Sequence, residues 1–293
     1  MHNPDTPVLR DAALDEKLLK EGYVVVPFLN TDEVTDLVNY FYQNNPQPIE
    51  GMFATAHVPD VDFRIRMNEH IRQVFARAIE SFFINCRPLG GSYVVKGKGA
   101  KGTLYPHQDW NIVDEKKYRS FNIWVPLVDL SENNGAIKIL PKSHAWLESY
   151  RSANISSAYE KVYEQLWQQM ITLNMSKGEA LIYDHRLLHA SGENKSEQLR
   201  LATVYGIIPA GAQMYYYHKA DENTVEVFES NPDFFLYQNI FEGPIGLKKV
   251  DSFSHSFYQP DVAVLNRFIH GEPAPVASSR SLISSLKSLL GLR

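Results

Sequence analysis

The hydrophobic positions of this chain change from helical spacing to strand-like alternation near residue 92. Before that point, Val34, Leu37, Val38 and Phe41 share one face of a helix expected to begin at Thr31 as N-cap, with Asp32 and Glu33 in its first turn. Ile71, Val74, Phe75, Ala78, Ile79 and Phe82 form a second apolar stripe, which predicts an amphipathic helix over roughly 68–84. A short polar helix over 11–22 comes first, followed by Tyr23-Val-Val-Val-Pro-Phe28, a β-branched run typical of a strand.

Downstream, short strands are expected at Ser92–Lys96, Thr103–Trp110, Phe121–Leu130, Ala136–Leu140, Ile171–Met175, Ala180–Tyr183 and Arg200–Ile208. Gly97-Lys-Gly-Ala-Lys-Gly102 reads as a loop, and Asn133-Asn-Gly135 and Ser176-Lys-Gly178 as turns. Many short strands divided by such turns indicate a mainly β barrel or sandwich with flanking helices. One helix interrupts them over 156–170, where Tyr159, Val162, Tyr163, Leu166 and Met170 have helical spacing. There are no internal repeats. After Pro209 the chain becomes aromatic and irregular, as in Met214-Tyr-Tyr-Tyr217. Pro273-Ala-Pro-Val-Ala reads as a linker, and Leu282, Leu286, Leu289 and Leu290 give the last residues a short amphipathic stripe. The expected organisation is one domain over 1–270, with a helical N-terminal region over 1–91, a barrel core over 92–210 and an aromatic-rich cap or extension over 211–270. A linker and tail follow over 271–293. The tail's weak charge favours packing on the body, a subunit contact or disorder over a membrane-surface helix.

Composition narrows the class. At 293 residues, with 44% hydrophobic and 22% charged residues, the chain is that of an ordinary soluble globular protein. A net charge of -5 argues against a nucleic-acid partner, which normally needs a basic patch. No run is apolar and long enough for a membrane span, and the polar start Met1-His-Asn-Pro-Asp does not read as a secretory signal. The one cysteine, Cys86, reads as a small buried hydrophobe and excludes an intramolecular disulfide. A reducing cytoplasm suits this usage, and the expected location is cytoplasmic.

Candidate chemistry begins at Tyr105-Pro-His107-Gln-Asp109-Trp110, at the end of an expected strand. Residues i and i+2 of a strand point to the same face, so an imidazole and a carboxylate can meet at one point. Alone, such a pair occurs by chance as a polar strand end. A second segment, Gly178-Glu-Ala-Leu-Ile-Tyr-Asp-His185-Arg-Leu-Leu-His189-Ala-Ser191, adds histidines and is followed by Arg200, eleven residues after His189. Two histidines and one carboxylate on one face of an octahedral ion leave three positions open, the arrangement of non-haem Fe(II) oxygenases. A bidentate 2-oxo acid fills two positions and O2 the third. The distal carboxylate of such a cosubstrate needs a buried cation, for which Arg200 is suited, with Ser191 as a further hydroxyl donor.

In these features the chain resembles the phytanoyl-CoA dioxygenase family of Fe(II)/2-oxoglutarate-dependent oxygenases. The matching residues run from Gly22-Tyr-Val-Val-Val-Pro27 through His107-Gln-Asp109, Trp124-Val-Pro-Leu127, Asn134-Gly-Ala136, Leu140-Pro-Lys-Ser-His144 and Gly178-Glu-Ala-Leu181 to His189-Ala-Ser191 and Arg200. The resemblance implies a double-stranded β-helix, a jelly-roll or cupin-like core with the site in its mouth. It further implies metal ligation by His107, Asp109 and His189, cosubstrate binding by Arg200 and Ser191, and Trp124 as a wall of that pocket. Asn122, on the same strand face, is a neighbour candidate. Cosubstrate contacts upstream of the first ligand are not placed by it; Lys96 and Arg66 are open. His185 competes with His189, which is favoured by the Ser two residues on and the Arg eleven residues on. His144 is read as fixing a loop, and Asp184 as a turn or ligand-orienting group. Lys96, Lys98 and Lys101 are read as solvated, Asn111 as facing either substrate or solvent, and Tyr215–Tyr217 as packing in preference to capping the site.

The expected activity is hydroxylation of an unactivated C–H bond of a small molecule, using Fe(II), 2-oxoglutarate and O2 and releasing succinate and CO2. A halogenase would replace the carboxylate ligand by a small residue, and Asp109 stands there instead. A desaturase, a catalytically silent barrel and a cupin-like enzyme without 2-oxoglutarate are the alternatives; the spacing of His189 to Arg200 opposes the last. The acidic charge gives no support for a CoA ester, so a natural-product or amino-acid-like substrate is favoured over an acyl one. Specificity is expected in 97–102, 156–170 and 211–270, and a homo-oligomer is left open.

Overall fold

Local chemistry closes the first helix at both ends. The structure, a computed structural model, describes residues 6–45 and 48–271. In helix α1 (Ala12–Glu21) the Asp11 carboxylate accepts from the Ala13 and Leu14 N–H groups, and Gly22 ends it at φ 83, a conformation that favours glycine. A Cβ at Gly22 would also fall 2.5 Å from the His144 ring, so this glycine admits that histidine against the helix end. Strand β1 (Tyr23–Pro27) leads to α2 (Thr31–Asn44). The cap of α2 is Asn30, one residue earlier than expected: its Oδ1 accepts from Glu33 N–H while Glu33 accepts from Asn30 N–H, a reciprocal pair that Thr31 does not form. After β2 (Met52–Ala54), helix α3 (Val61–Phe82) starts well before residue 68, because Asp60 caps it and Arg64 and Met67 extend its buried stripe toward the N-terminus.

The strands that follow are β3 (Cys86–Lys96), β4 (Leu104–His107), β5 (Phe121–Pro126) and β6 (Ile137–Ile139). Helix α4 (Tyr163–Gln169), preceded by a 3-10 turn at Glu160–Val162, is much shorter than the expected 156–170. Then come β7 (Ile171–Thr172), β8 (Glu179–Asp184), β9 (His189–Ser191) and β10 (Arg200–Pro209). β3 begins at Cys86, not Ser92; it runs through Gly90 and Gly91, which pair with β10 next to a register shift. Six strands form one sheet in the order β1-β8-β5-β10-β3-β2, and four form a second in the order β4-β9-β6-β7, with the named pairs antiparallel. Antiparallel sheets with flanking helices make the mainly β fold class expected of a jelly-roll.

Period-two alternation explains what the large sheet puts inside. Phe121, Ile123 and Val125 of β5, Ala180 and Ile182 of β8 and Leu201, Tyr205 and Ile207 of β10 join the core beneath α1, α2 and α3. The alternate residues Trp124, Leu181, Tyr183 and Ala202 join a second core with Ile137 and Ile139 of the smaller sheet. Each of these strands carries apolar residues on both faces, interrupted by polar ones such as Asn122 and Arg200. The same parity turns Asn122, Trp124, Tyr183 and Arg200 toward one interior cavity.

The segment after Pro209 is more regular than its aromatic composition suggests. β11 (Met214–Asp221), β12 (Thr224–Ser230) and β13 (Lys248–Ser254) form an antiparallel meander, with α5 (Pro232–Tyr237) between β12 and β13 and α6 (Val262–Ile269) at the end. The expected irregularity is thus corrected. Three consecutive tyrosines hide the alternation of β11, and β13 is nearly all exposed, so it carries no apolar pattern. Tyr216 and Tyr217 pack as expected: their hydroxyls donate to the carbonyls of Ile240 and Val113. The expected linker and amphipathic tail lie outside the described residues. Among the described residues, no helix is long and apolar enough to cross a membrane.

Candidate metal centre

Strands β4 and β9 pair antiparallel, with His107 opposite His189. Asp109 lies two residues past the end of β4, not on the strand as expected. It is placed by its own N–H, which donates to the His185 carbonyl at 2.9 Å. One ligating atom from each of His107, Asp109 and His189 falls within 4.8 Å of the other two, and His189 Nε2 is 3.7 Å from Asp109 Oδ1.

Each imidazole is oriented by a carbonyl two residues upstream. His107 Nδ1 donates to Tyr105 O at 2.7 Å, and His189 Nδ1 to Leu187 O at 2.9 Å. A carbonyl only accepts, so the proton sits on Nδ1 and the Nε2 lone pair of each ring is left for a metal. Burial, with His189 next in weight, holds His107 down at about 4, so it is neutral near pH 7. Burial alone would raise Asp109, but the neighbouring His189, His185 and His107 and a hydrogen bond from Asn122 outweigh it and hold the carboxyl near 2. Two imidazoles and one carboxylate are the donor set that suits Fe(II) with open positions.

The competing residues are engaged elsewhere. His185 Nδ1 is 2.9 Å from Ser120 Oγ, and His185 is not in the cluster. His144 Nε2 donates to Leu19 O, which ties its loop to α1 as expected. Asp184 pairs with Arg186 at 2.6 Å and accepts from the Arg186 N–H; it is a turn group and orients neither ligand. Asn111 faces neither substrate nor solvent: it is buried, and its Oδ1 accepts from the Arg151 N–H.

A second constellation lies in the same cavity wall. Arg200 is buried, with Nη1 on Gly135 O at 3.2 Å, its guanidinium 5.3 Å from the Trp124 ring, and Nε without a partner. Beside it, Lys96 is fully buried, not solvated as its glycine-rich neighbourhood suggested. Its Nζ donates to Ser191 Oγ at 2.6 Å, to Ser191 O at 3.1 Å and to Gly192 O. Desolvation lowers Arg200 to about 10, and desolvation followed by the charge of Arg200 lowers Lys96 to about 7. No carboxylate contacts either cation among the described residues. Two buried cations without a counter-ion are costly, and an anionic ligand removes that cost. Lys98 and Lys101 are surface residues paired with Glu197 and Glu50, and Arg66 is exposed.

His107, Asp109, His189, Ser191, Arg200 and Trp124 line one cavity of about 460 Å³. Asn122 lines it too, and its Nδ2 donates to Asp109 Oδ2 at 2.8 Å, so it steadies the carboxylate directly. Lys96, left open together with Arg66 as a cosubstrate contact, and this function of Asn122 are what sequence reasoning did not place. The signal for Lys96 was its parity, since it lies on the cavity face of β3 with Ser92 and Val94.

Such a fold and donor set define the Fe(II)/2-oxoglutarate-dependent oxygenases. The chain belongs to the phytanoyl-CoA dioxygenase family, whose model matches residues 19–202. Similar proteins include the dioxygenase trt7 of Aspergillus terreus, 26% identical over 126 residues that make up 41% of this chain and 40% of that one. The dioxygenase olcK of Penicillium canescens is 28% identical over 112 residues, 36% of this chain and 33% of that one. The chain spans less than half the length of these relatives. Among solved structures, the epimerase SnoN in complex with Fe3+, alpha ketoglutarate and nogalamycin RO is similar in fold, with TM-score 0.50 and 20% identity over 69% of this chain and 86% of that one.

Proposed function

We propose that the chain hydroxylates an unactivated C–H bond of a small molecule, consuming 2-oxoglutarate and O2 and releasing succinate and CO2. The observation that carries this reading is one cavity lined by both the His107–Asp109–His189 cluster and the uncompensated cation Arg200. Iron and 2-oxoglutarate would supply, with O2, an oxidant able to break such a bond.

The protein's own residues set orientation. His107 Nε2, His189 Nε2 and an Asp109 oxygen would hold the ion, and Asn122 fixes the carboxylate rotamer. Arg200 would receive the far carboxylate of 2-oxoglutarate. Because Lys96 donates to Ser191 Oγ, the Ser191 hydroxyl hydrogen is free to donate to that same carboxylate. The indole of Trp124 covers the guanidinium and keeps water from it. Asp109 fills the position that a halogenase would leave to halide, which favours oxygen insertion.

The test is succinate release coupled to a product heavier by one oxygen atom, measured by mass spectrometry across candidate substrates. Succinate without an oxygenated product would replace hydroxylation by another oxidation. No iron-dependent succinate with any substrate would favour a silent barrel.

A further inference from the structure

Beside the candidate metal centre, the cavity meets a second lobe of about 330 Å³. The two lobes have Ala56, Ser92, Asn122 and Val204 among their common walls, and Asn122 is the residue that donates to Asp109. Leu89, Ile112, Met214, Phe235 and Leu236 give the outer lobe an apolar lining. Against that lining stands one buried cation, Arg64 of α3, which is 7% exposed.

Arg64 donates through Nη2 to Tyr237 O at 3.0 Å and through Nη1 to Gln238 O at 3.1 Å, while its Nε has no partner. Both acceptors are neutral carbonyls, and no carboxylate pairs with this guanidinium among the described residues. Carbonyls satisfy hydrogens without cancelling charge. A buried guanidinium without a counter-ion is costly, and an anionic ligand offsets that cost. The charge also reaches the inner lobe, where, after burial, it is the next cause that lowers His57.

One helical turn on from Arg64, Asn68 lines the same lobe. Its Oδ1 accepts from the Gly91 N–H at 2.8 Å, which fixes the amide with Nδ2 as the atom left to donate. Asp233, also in the lining, is exposed at the first turn of α5, where water screens it. A single buried cation calls for a single negative charge. One carboxylate balances it, whereas a phosphate dianion or the several phosphates of a CoA ester bring more charge than one guanidinium offsets.

We propose that the substrate is an amphipathic monocarboxylate, its carboxylate received by Arg64 with Asn68 beside it and its apolar body lying along the shared walls toward the metal. The inference rests on the reading above, since it names the substrate of that same site. Arg64 lines only the outer lobe, and His107, Asp109 and His189 line only the inner one. The bond attacked therefore lies on the apolar body, away from the carboxylate. Arg64 and Asn68 are specificity residues here, and the tie from Arg64 to the end of α5 holds the guanidinium in place.

The experiment uses the full chain loaded anaerobically with Fe(II) and 2-oxoglutarate. The probes are 2-naphthoate, its neutral isostere 2-naphthamide and 2-naphthyl phosphate, read by naphthyl fluorescence, with the visible Fe(II)–2-oxoglutarate charge-transfer band recorded in parallel. Absence of the band would overturn the oxygenase reading and leave the probe preferences, and their dependence on Arg64, to judge the lobe. In the wild type, 2-naphthoate should bind at least about 10-fold tighter than 2-naphthamide and no weaker than the phosphate, with the band retained. Arg64→Gln, whose amide can still donate to a carbonyl of the α5 end, should bring the preference for carboxylate over amide below about 2-fold, and Arg64→Lys, which keeps the charge, should retain at least about 3-fold. Merely loosening α5 would weaken both probes alike and leave their ratio unchanged. Asn68→Asp leaves the Arg64 tie untouched and keeps an acceptor for the Gly91 N–H; it should weaken 2-naphthoate about 10-fold and 2-naphthamide less than about 2-fold. Equal binding of the two isosteres in the wild type, tighter binding of the phosphate, loss of the band when 2-naphthoate is added, or an unchanged preference in Arg64→Gln or in Asn68→Asp would each overturn the proposal.

Discussion

His107 and His189 stand directly opposite one another on β4 and β9, with ring centroids 4.2 Å apart. Each ring gives its Nδ1 proton to a backbone carbonyl, so both Nε2 lone pairs remain available. Backbone pairing therefore delivers two of the three candidate ligands, and the third is placed by the hydrogen bond from the Asp109 N–H to the His185 carbonyl.

Asp109→Ala removes the candidate anionic ligand and leaves the two histidines in place. Iron affinity should fall at least about 100-fold, and hydroxylation with it, because changes to groups that merely steady a ligand already cost about 10–100-fold. Metal titration followed by calorimetry checks this; full activity in the variant would exclude Asp109 as a ligand.

Asn122→Leu tests the steadying hydrogen bond to Asp109 Oδ2. The expected loss of iron affinity is about 10-fold, smaller than for Asp109→Ala, with little change in thermal stability. If 2-oxoglutarate affinity falls and iron affinity does not, Asn122 acts on the cosubstrate instead.

Lys96 should give the protein a distinctive pH dependence. Its folded-state value near 7 lies below the ordinary lysine range, so between about 7 and about 10 the folded protein binds fewer protons than the unfolded chain. The cost of the buried charge is present in full below that window and is relieved as pH rises through it. The melting temperature of the cosubstrate-free protein should accordingly gain from raising pH across the window, and this gain should vanish in Lys96→Met. An anionic cosubstrate favours the protonated lysine, so 2-oxoglutarate affinity should fall as pH rises past 7. At pH 7, Lys96→Met should raise the KM for 2-oxoglutarate about 10-fold with kcat nearly unchanged.

Arg64 ties α3 to the end of α5 through two carbonyls. Arg64→Ala should cost about 1–3 kcal/mol and expose the segment after α5 to proteolysis. Limited proteolysis and thermal melts report the two effects separately; a protease-resistant variant would show that this tie does not hold the segment.

How far the sequence could be read depends on where each signal lies. The triad and Arg200 sit in two short contiguous stretches, so the spacing of chemically distinctive residues exposed them before any fold was known. Strand parity was equally legible for Asn122 and Trp124, but not the partner of Asn122, because Asp109 reaches it from beyond a strand end. Lys96 was hidden by the glycine-spaced lysines after it, which look solvated as a group although only Lys98 and Lys101 are. The β11–β13 meander was illegible because an exposed strand such as Lys248–Ser254 is held by ladder hydrogen bonds and has no apolar face to announce it.

On the proposed function, His107, Asp109 and His189 hold one metal ion and His185 does not. Iron stoichiometry after anaerobic reconstitution decides it, compared across wild type, His189→Ala and His185→Ala. One Fe(II) per chain is expected in the wild type and in His185→Ala, with loss of the ion in His189→Ala. Iron retained by His189→Ala and lost by His185→Ala would refute the assignment.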